Sequence, residues 1–577
     1  SSESAMVGPF SVTPAYLGPW YVATSGGKSP NNSQNNSEYG SKNYPINHLT
    51  SALEVAAAGD TIIMMEGTHS GVANRNISIL KQIVISGDPT KSADKTIIDA
   101  EHKARHFSFN ADNNYNENQP EADSTWVIQN ITLYRGKATG NEWQAAGGSV
   151  RIGGRSNPKF SNVIFRQNID ETVNGWTGAA IFADAEAVLN VDKCQFIDNS
   201  VINSDGDAVG GAIGLVSYTQ SPHKINASIF KGNKVEGKYG AAGSALASSS
   251  AIILTNSLFY DNLVRSPQGS ARATIMIDGP SAYYNKYSLF INNTIANNDA
   301  LGTFNNISGI FLRDYDYHGG SVIEKHTLYA FNNIIYGNTD RQDVYPVQLE
   351  NFDLKADYNI IQNLDAALSA NQGLSFDHTY DFDPAFTDTA NGDFTLSGTS
   401  LALGKGTATW DTYLFLNAPL KDISGKERPS PVGSNPDLGA YENGLGKSPA
   451  PPPVQGLVAK GGSGQIELAW NSMAEADSTY KIYQSENPFS VLSNENYAAK
   501  TTLPEYIATG LNNASRYYFK VTAVNKAGYE SSPASIDLSP SHTGPVWWVA
   551  TNGSDENGDG SVGGPLASIQ KAMEKAA

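Results

Sequence analysis

Between residues 147 and 338 the sequence repeats in units too short for most folds. The pattern Phe-x-x-Asn pairs Phe165 with Asn168, Phe196 with Asn199, Phe230 with Asn233 and Phe259 with Asn262. Ile takes the Phe place in the pairs Ile295 with Asn298 and Ile335 with Asn338, and successive Asn lie 31, 34, 29, 36 and 40 residues apart. A second pattern precedes most of them: "GGSV" at Gly147, "GAAI" at Gly178, "GGAI" at Gly210 and "GSAL" at Gly243. Each unit holds short alternating runs broken by Gly, Asn and Asp, and none accommodates a βαβ crossover. The expectation is a solenoid, with each unit forming one coil of a right-handed parallel β-helix stacked about 4.8 Å from the last. Phe or Ile then points inward. The Asn sits at a turn, where it tolerates a left-handed backbone and hydrogen-bonds along the stack. Both columns are read as structural.

The stretch "INHLTSALEVAAAGDTIIMMEGTHSG" reads as an amphipathic helix with Leu49, Leu53 and Ala56 on one face, then a first strand. A helix over the end of a β-helix protects its first edge. The pairing of "GGAI" with Phe-x-x-Asn resembles the repeats of bacterial polymorphic outer-membrane proteins and related autotransporter passengers. The stretch "DPAFTDTANGDFTLSGTSLALGKG", followed by "KDISGKERP" and "NPDLGAYEN", resembles the end of choice-of-anchor Q β-helix domains. Together these motifs cover about Trp20 to Asn443. The resemblance implies a β-helix in an exported bacterial protein. It says little of activity, because such families include adhesins, carbohydrate-active enzymes and proteins of no known role.

After the Pro-rich "GKSPAPPPVQG" come alternating strands at sandwich spacing, with Trp470 placed to fill a core. Leu511, then Tyr517 and "FKVTAVNKAG", resembles the tyrosine-corner region of fibronectin type III domains, which implies a spacer or binding module. The expected fold class is all-β: a right-handed parallel β-helix followed by a fibronectin type III-like β-sandwich. The expected division is 1–17 as the tail of a preceding module or linker, 18–445 as the β-helix with its capping helix, 446–452 as a linker, 453–541 as the sandwich and 542–577 as a second opening. That second opening is a repeat in its own right. "PLASIQKAMEKAA" from Pro565 aligns without a gap on "PINHLTSALEVAA" from Pro45, and Trp547 matches Trp20 at a distance of 527 residues. It predicts one period of a longer array in which sandwich and β-helix alternate. The alternative is a donated strand and helix that completes another subunit.

Charge narrows the function classes. There are 39 Lys and Arg against 57 Asp and Glu, a net −18, which argues against nucleic-acid binding. The single Cys194 excludes an intrachain disulfide, and it reads as a buried small hydrophobe. No apolar run reaches membrane-span length, and residues 1–20 show no signal-peptide pattern, so any secretion signal is expected outside this sequence. No P-loop, G-x-S-x-G, H-E-x-x-H or zinc Cys pair is present. Abundant Asn, Gly, Ser and Thr suit an extracellular, cell-surface protein.

Stacking of the coils brings candidate chemical groups together. Registering Val150, Ile181, Ile213, Leu246, Ile275, Ile310 and Val347 as inward sends the next residue and the third outward. One outer face would then carry Phe182, Met276 and Phe311 beside Asp184, Asp278, Arg313 and Glu350, a platform suited to sugar rings. Asp278 and Glu350 would lie two coils apart, roughly 9–10 Å, near the separation that inverting glycosidases use. Asp314 and His318 of "RDYDYHGG" would add acid–base groups. The plainer reading of these residues is a ladder in which Arg313 cancels repulsion between the two acids. Asp555, Asn557 and Asp559 of "DENGDG" have calcium-loop spacing, but Leu566 stands where that loop needs Glu, so a Gly/Asn/Asp turn is preferred to a Ca2+ site and no other cofactor is expected. His106 and His223 receive no role. The expectation is an exported surface or adhesive stalk with a polysaccharide or cell-surface glycan as ligand. The alternatives are a polysaccharide lyase or glycoside hydrolase using the lateral groove, and a filament subunit that meets copies of itself.

Overall fold

The structure, a computed structural model, describes residues 16–28, 38–109, 126–140, 145–172, 175–217, 219, 221–278, 287–313, 326–338, 347–350, 353–363, 377–411, 416–473, 479–513, 515–525 and 528–576. It divides into two compact units, Ser1–Gly446 and Lys447–Ala577.

The first unit is a parallel β-helix. Each coil runs through two legs of a nineteen-stranded sheet, sheet A, and then through a nine-stranded sheet, sheet B. Neighbouring coils pair in parallel: Phe165 lies against Phe196, Phe196 against Phe230 and Phe230 against Phe259. These rings stack in the lumen at centroid separations of 4.8, 4.5 and 4.4 Å. Strand spacing imposes that separation, so identical residues at one register position must stack. Ile295, Ile335 and Ile361 continue the column.

The corners explain the Asn. Along one corner Asn168, Asn199, Asn233, Asn262, Asn298 and Asn338 form a buried ladder. The main-chain N–H and the side-chain Nδ2 of each donate to Oδ1 of the next, as in Asn199 to Asn233 at 3.1 and 2.9 Å. The same Nδ2 also donates to a main-chain carbonyl one coil back, as Asn233 does to Phe196 at 2.8 Å. One detail departs from the sequence reading. The left-handed backbone belongs to the residue before each ladder Asn: Gln167, Asp198, Gly232, Asp261, Asn297 and Gly337. The ladder Asn is left free to face inward. A second corner works alike with other residues: the N–H of Cys194 donates to Ser228 Oγ, Ser228 to Ser257 Oγ, Ser257 to Asn293 Oδ1, Asn293 to Asn333 Oδ1 and Asn333 to Asn359 Oδ1.

At its start the β-helix is closed by the strand Trp20–Val22, paired in parallel with Thr61–Met64, and by helix α1 (Leu49–Val55), which buries Leu49 and Ala52. At its end, residues 377–411 and 416–446 fold back along sheet A. In the second unit, a three-stranded sheet (Val458–Gly462, Gln465–Ala469, Glu505–Thr509) and a four-stranded sheet (Tyr497–Thr501, Thr479–Ser485, Tyr517–Val524, Ala534–Leu538) contribute to one core with Trp470 and Tyr480. The Asn512 N–H donates to Tyr517 Oη at 2.9 Å, a bond from the corner backbone to the tyrosine hydroxyl. The chain is therefore all-β, a parallel β-helix followed by a fibronectin type III-like sandwich. Among the described residues no helix is long and apolar enough to cross a membrane.

Two buried histidines should make the β-helix lose stability in acid. The Leu189 N–H donates to His223 Nδ1 at 3.0 Å, so the ring proton sits on Nε2, 2.7 Å from Ser217 Oγ. His106 Nε2 donates to the carbonyls of Ile98 and Tyr134, and Nδ1 accepts from Ser149 Oγ. Burial lowers His223 to about 3 and His106 to about 4. Because the folded values are depressed, this stability is full above the unfolded value near 6.5 and is lost as pH falls through the folded values. His223→Gln should be destabilised at neutral pH. Its deficit relative to wild type should shrink by about 2 kcal/mol between pH 6.5 and 5 in urea titrations. An unchanged deficit would contradict the neutral buried ring.

Candidate functional site

The strands of sheet B pair so that Arg151, Phe182, Gly214, Ala247, Met276, Phe311 and Gln348 form one row. Two residues on, Asp278 lies opposite Arg313, and Arg313 opposite Glu350. The side chains of Phe182, Asp184, Met276, Asp278, Phe311 and Arg313 leave the lumen, but they do not form the exposed platform expected from the alternation. Phe182, Met276 and Phe311 are buried, as are Arg151, Asp184 and Asp278. The reason lies in the chain between Phe-x-x-Asn and the Gly-rich turn. There each coil makes an excursion, and the excursions pair as a further sheet, sheet C, which includes Ile169–Thr172, Ser200–Asn203, Lys234–Gly237, Gly240–Ala242, Leu263–Arg272 and Asp299–Ile307. Ala179, Val201, Ala208, Val235, Ala241, Val264, Ala271 and Ala300 form a small core of this layer. Ala242, Ala273 and Ile307 cluster with Met276 and Phe311, with Trp176 and Val209 packed beside them.

The charged groups on this face hold one another. Arg313 Nε donates to Asp278 Oδ1 at 2.8 Å and its Nη2 bonds the other oxygen, a two-point grip that fixes the carboxylate. Arg151 Nη2 meets Asp184 Oδ2 at 2.6 Å. Guanidinium groups also lie over the buried rings: Arg151 is 5.6 Å from the Phe182 centroid, and Arg272 and Arg313 are 5.0 and 5.9 Å from that of Phe311. Asp278 therefore serves in a ladder with Arg313. Glu350 holds the facing register position on the far side of Arg313. Asp314 and His318 lie outside the described residues.

Asp555 and Asp559 of "DENGDG" are engaged by nearby backbone and hydroxyl groups. Asp555 Oδ1 accepts from the N–H groups of Ala567 and Ser568, 2.8 and 2.9 Å away, at the start of helix α2 (Ile569–Ala576). Asp559 Oδ1 accepts from the Ser561 N–H and Oγ. Among the described residues, no three His, Cys, Asp or Glu side chains gather to hold a metal ion. Cys194 is buried and its thiol is pushed up to about 12 by desolvation, so it is unreactive.

Exposed aromatic surface occurs instead on the outer side of sheet A, near the last coils. Tyr287 is 46% exposed, and its ring meets that of Tyr329 edge-on at 6.0 Å. Tyr329 meets Trp410 at 6.1 Å, and the Lys355 ammonium lies 5.3 Å from the Tyr329 centroid. Trp410 arrives on the hairpin Thr409–Asp411 and Leu416–Asn417, which folds over Ile291 and Phe331. The partly exposed Thr327 and Asp411 and the exposed Thr409 and Asn417 border this ledge. The sequence reading missed it. Its signal is the outward placing of Tyr287 and Tyr329 on the strands Tyr287–Ile291 and Thr327–Phe331, which pair Leu289 with Tyr329.

No family model matches the chain. Over 101 residues it is 32% identical to the amylopullulanase of Thermoanaerobacter thermohydrosulfuricus, a stretch that makes up 17% of this chain and 6% of that protein. Among solved structures, pectate lyase Pel9A matches 74% of the chain and 96% of its own length at 14% identity and a TM-score of 0.31. XylC in complex with xylose matches 74% and 98% at 11% identity and 0.32. The FN1–FN3 domains of chicken CNTN1 match 17% and 32% at 17% identity and 0.14. At these scores the strand pairings described above, and not the likenesses, carry the fold.

Proposed function

We propose that this chain is a structural module of an exported bacterial surface protein, with the β-helix serving as a rigid carrier that contacts glycans through the ledge of Tyr287, Tyr329 and Trp410. The observation that carries this reading is the second layer over sheet B. The face where a β-helix would offer a groove is filled by Met276, Phe311, Ala242 and Ile307, and Asp278 is gripped by Arg313. A solenoid filled in this way resists bending by repetition of one coil and needs no reaction centre. The exposed ring of Tyr287 and the partly exposed rings of Tyr329 and Trp410, with hydroxyl, amide and carboxylate neighbours, suit the apolar faces and hydroxyls of sugars. A surface location and adhesion belong to the same proposal. The net charge of −18 suits a neutral or cationic glycan, or one bound with cations, better than a polyanion.

The test is to incubate the pure chain with neutral and acidic polysaccharides, recording retention, new reducing ends and unsaturated products together. Retention without products is expected, and Tyr287→Ala should weaken it about tenfold while leaving Tm unchanged, because a ring so exposed contributes little to folding. Product formation that is lost in Asp278→Asn would establish the enzyme reading instead. Retention indifferent to Tyr287→Ala would remove the ledge from the glycan contact.

A further inference from the structure

The opening of the β-helix is built twice. In the first copy the Tyr21 N–H donates to Gly40 O, the Ile46 N–H to Tyr21 O and the Ala23 N–H to Ile46 O. In the second, Trp548 donates to Gly560 O, Leu566 to Trp548 O and Ala550 to Leu566 O. Val22 bridges Ile46 in parallel, and Val549 bridges Leu566. Gly40 packs against the ring of Trp20, and Gly560 against that of Trp547. The sequence repeat is thus a repeat of three-dimensional structure, and helix α2 takes the place of α1.

The two copies differ in what covers them. In the first, Val22 and Leu49 are 0% exposed, because Trp20–Val22 pairs with Thr61–Met64 and α1 packs on the lumen core. In the second, the matching Val549 is 37% and Ile569 70% exposed, and Met573, which matches Leu53, is 68% exposed. Trp548 and Val546 are exposed beside them. An amphipathic helix and strand with the core-facing side uncovered is a docking surface, and the first copy shows what fits it.

We infer that the face formed by Val549, Ile569 and Met573 seats the opening coil of another parallel β-helix, one whose first strand resembles Thr61–Met64 and which is joined directly to α2 in the same polypeptide. Three observations select this occupant. The face reproduces three main-chain hydrogen bonds and the parallel bridge of a cap whose partner is known. The connection from cap to coil is short in the first copy, with only residues 56–60 between Val55 and Thr61. A second copy of this chain is a poor occupant, because its own opening coil is already covered by Trp20–Val22 and α1. Docking in trans would uncover one cap for each cap it buried, with no net gain in buried apolar surface.

The test is to append a repeat of residues 58–446 after Ala577 of the full chain and to follow hydrogen exchange in residues 546–576. Exchange there should slow roughly tenfold or more on extension. The pair Ile569→Asp and Met573→Asp should abolish that slowing in the extended chain. In the unextended chain, where both side chains face water, the pair should leave Tm within about 1 °C. Unchanged exchange behind a folded appended β-helix would overturn the inference. So would an appended β-helix that fails to fold, since the same residues fold behind the first cap. A concentration-dependent dimer of the unextended chain, with exchange slowed in residues 546–576, would also overturn it and assign the face to self-association.

Discussion

Arg428→Ala is expected to destabilise the β-helix unit by about 3–5 kcal/mol, because it strands a buried carboxylate. Arg428 and Glu442 have no exposed side-chain surface. Arg428 Nε donates to Glu442 Oε2 at 3.0 Å, Nη2 donates to the carbonyls of Gly439 and Ala440, and Nη1 donates to Asn256 Oδ1. Asn256 is the left-handed corner residue of an earlier coil, so one guanidinium ties the closing segment to the solenoid. Further corner Asn residues grip the same segment: Asn292 Nδ2 donates to Gly439 O, and Asn332 Oδ1 accepts from the Thr407 N–H. Arg428→Lys should not restore stability, since an ammonium cannot reproduce the planar fork that serves four acceptors. Urea denaturation reads the loss, and the sandwich unit should keep its midpoint. A loss below about 1 kcal/mol would mean that Glu442 protonates or finds water when the arginine goes.

The same clasp carries a pH dependence of opposite sign to that of the histidines. Burial and the nearby charge of Glu442 push Asp437 up to about 7, although its oxygens accept from the Gly404 and Asn443 N–H groups. For an acid with a raised folded value, the contribution is full below the unfolded value near 4 and is lost as pH rises through about 7. Asp437→Asn should therefore remove a decline in stability over that window. It acts against the loss on acidification from His106 and His223, so the pH profile of the wild-type chain is the difference of two trends.

The sequence made the coil legible because stacking forces like onto like: the Phe column and the Asn column recur at one register position, and a motif search finds them. The second corner escaped the same search. Cys194, Ser228, Ser257, Asn293, Asn333 and Asn359 change from Cys to Ser to Asn along the stack and have in common only a small polar group following a left-handed residue. The outer face failed for a different reason. Alternation tells that Phe182 and Phe311 leave the lumen, but it cannot tell whether they meet water. What covers that side comes from excursions of unequal length, whose common feature is a thread of small residues: Ala208, Ala241, Ala271 and Ala300. The apolar character of Phe182, Met276 and Phe311 was itself the sign of a covered face. The repeated cap is legible as a repeat, but its unequal burial depends on what packs against each copy, which the repeat does not encode.

Asn233→Leu tests whether the Asn ladder holds the coils or merely fills a corner. The substitution keeps the number of side-chain heavy atoms in a bulkier side chain and removes four hydrogen bonds: two into Oδ1 from Asn199, one from Nδ2 to Phe196 O and one from Nδ2 to Asn262 Oδ1. Asn199 Nδ2 still reaches Phe165 O, and Asn262 Oδ1 still accepts from the residue 233 N–H, so those groups remain partly paired. The Asn199 N–H loses the acceptor it has in this corner. At about 1 kcal/mol per bond and 1–3 for a buried orphan, the expected loss is about 5–7 kcal/mol. The second corner supplies the control. There Ser228 Oγ accepts the Cys194 N–H at 3.1 Å in the same place relative to its left-handed neighbour. Asn233→Ser should thus keep an acceptor for the Asn199 N–H and lose less than Asn233→Leu, despite the smaller side chain. If apolar filling governed the corner the order would reverse, because Leu fills it and Ser leaves a gap. Urea denaturation of the two variants decides between a column that pairs main-chain N–H groups and one that only packs.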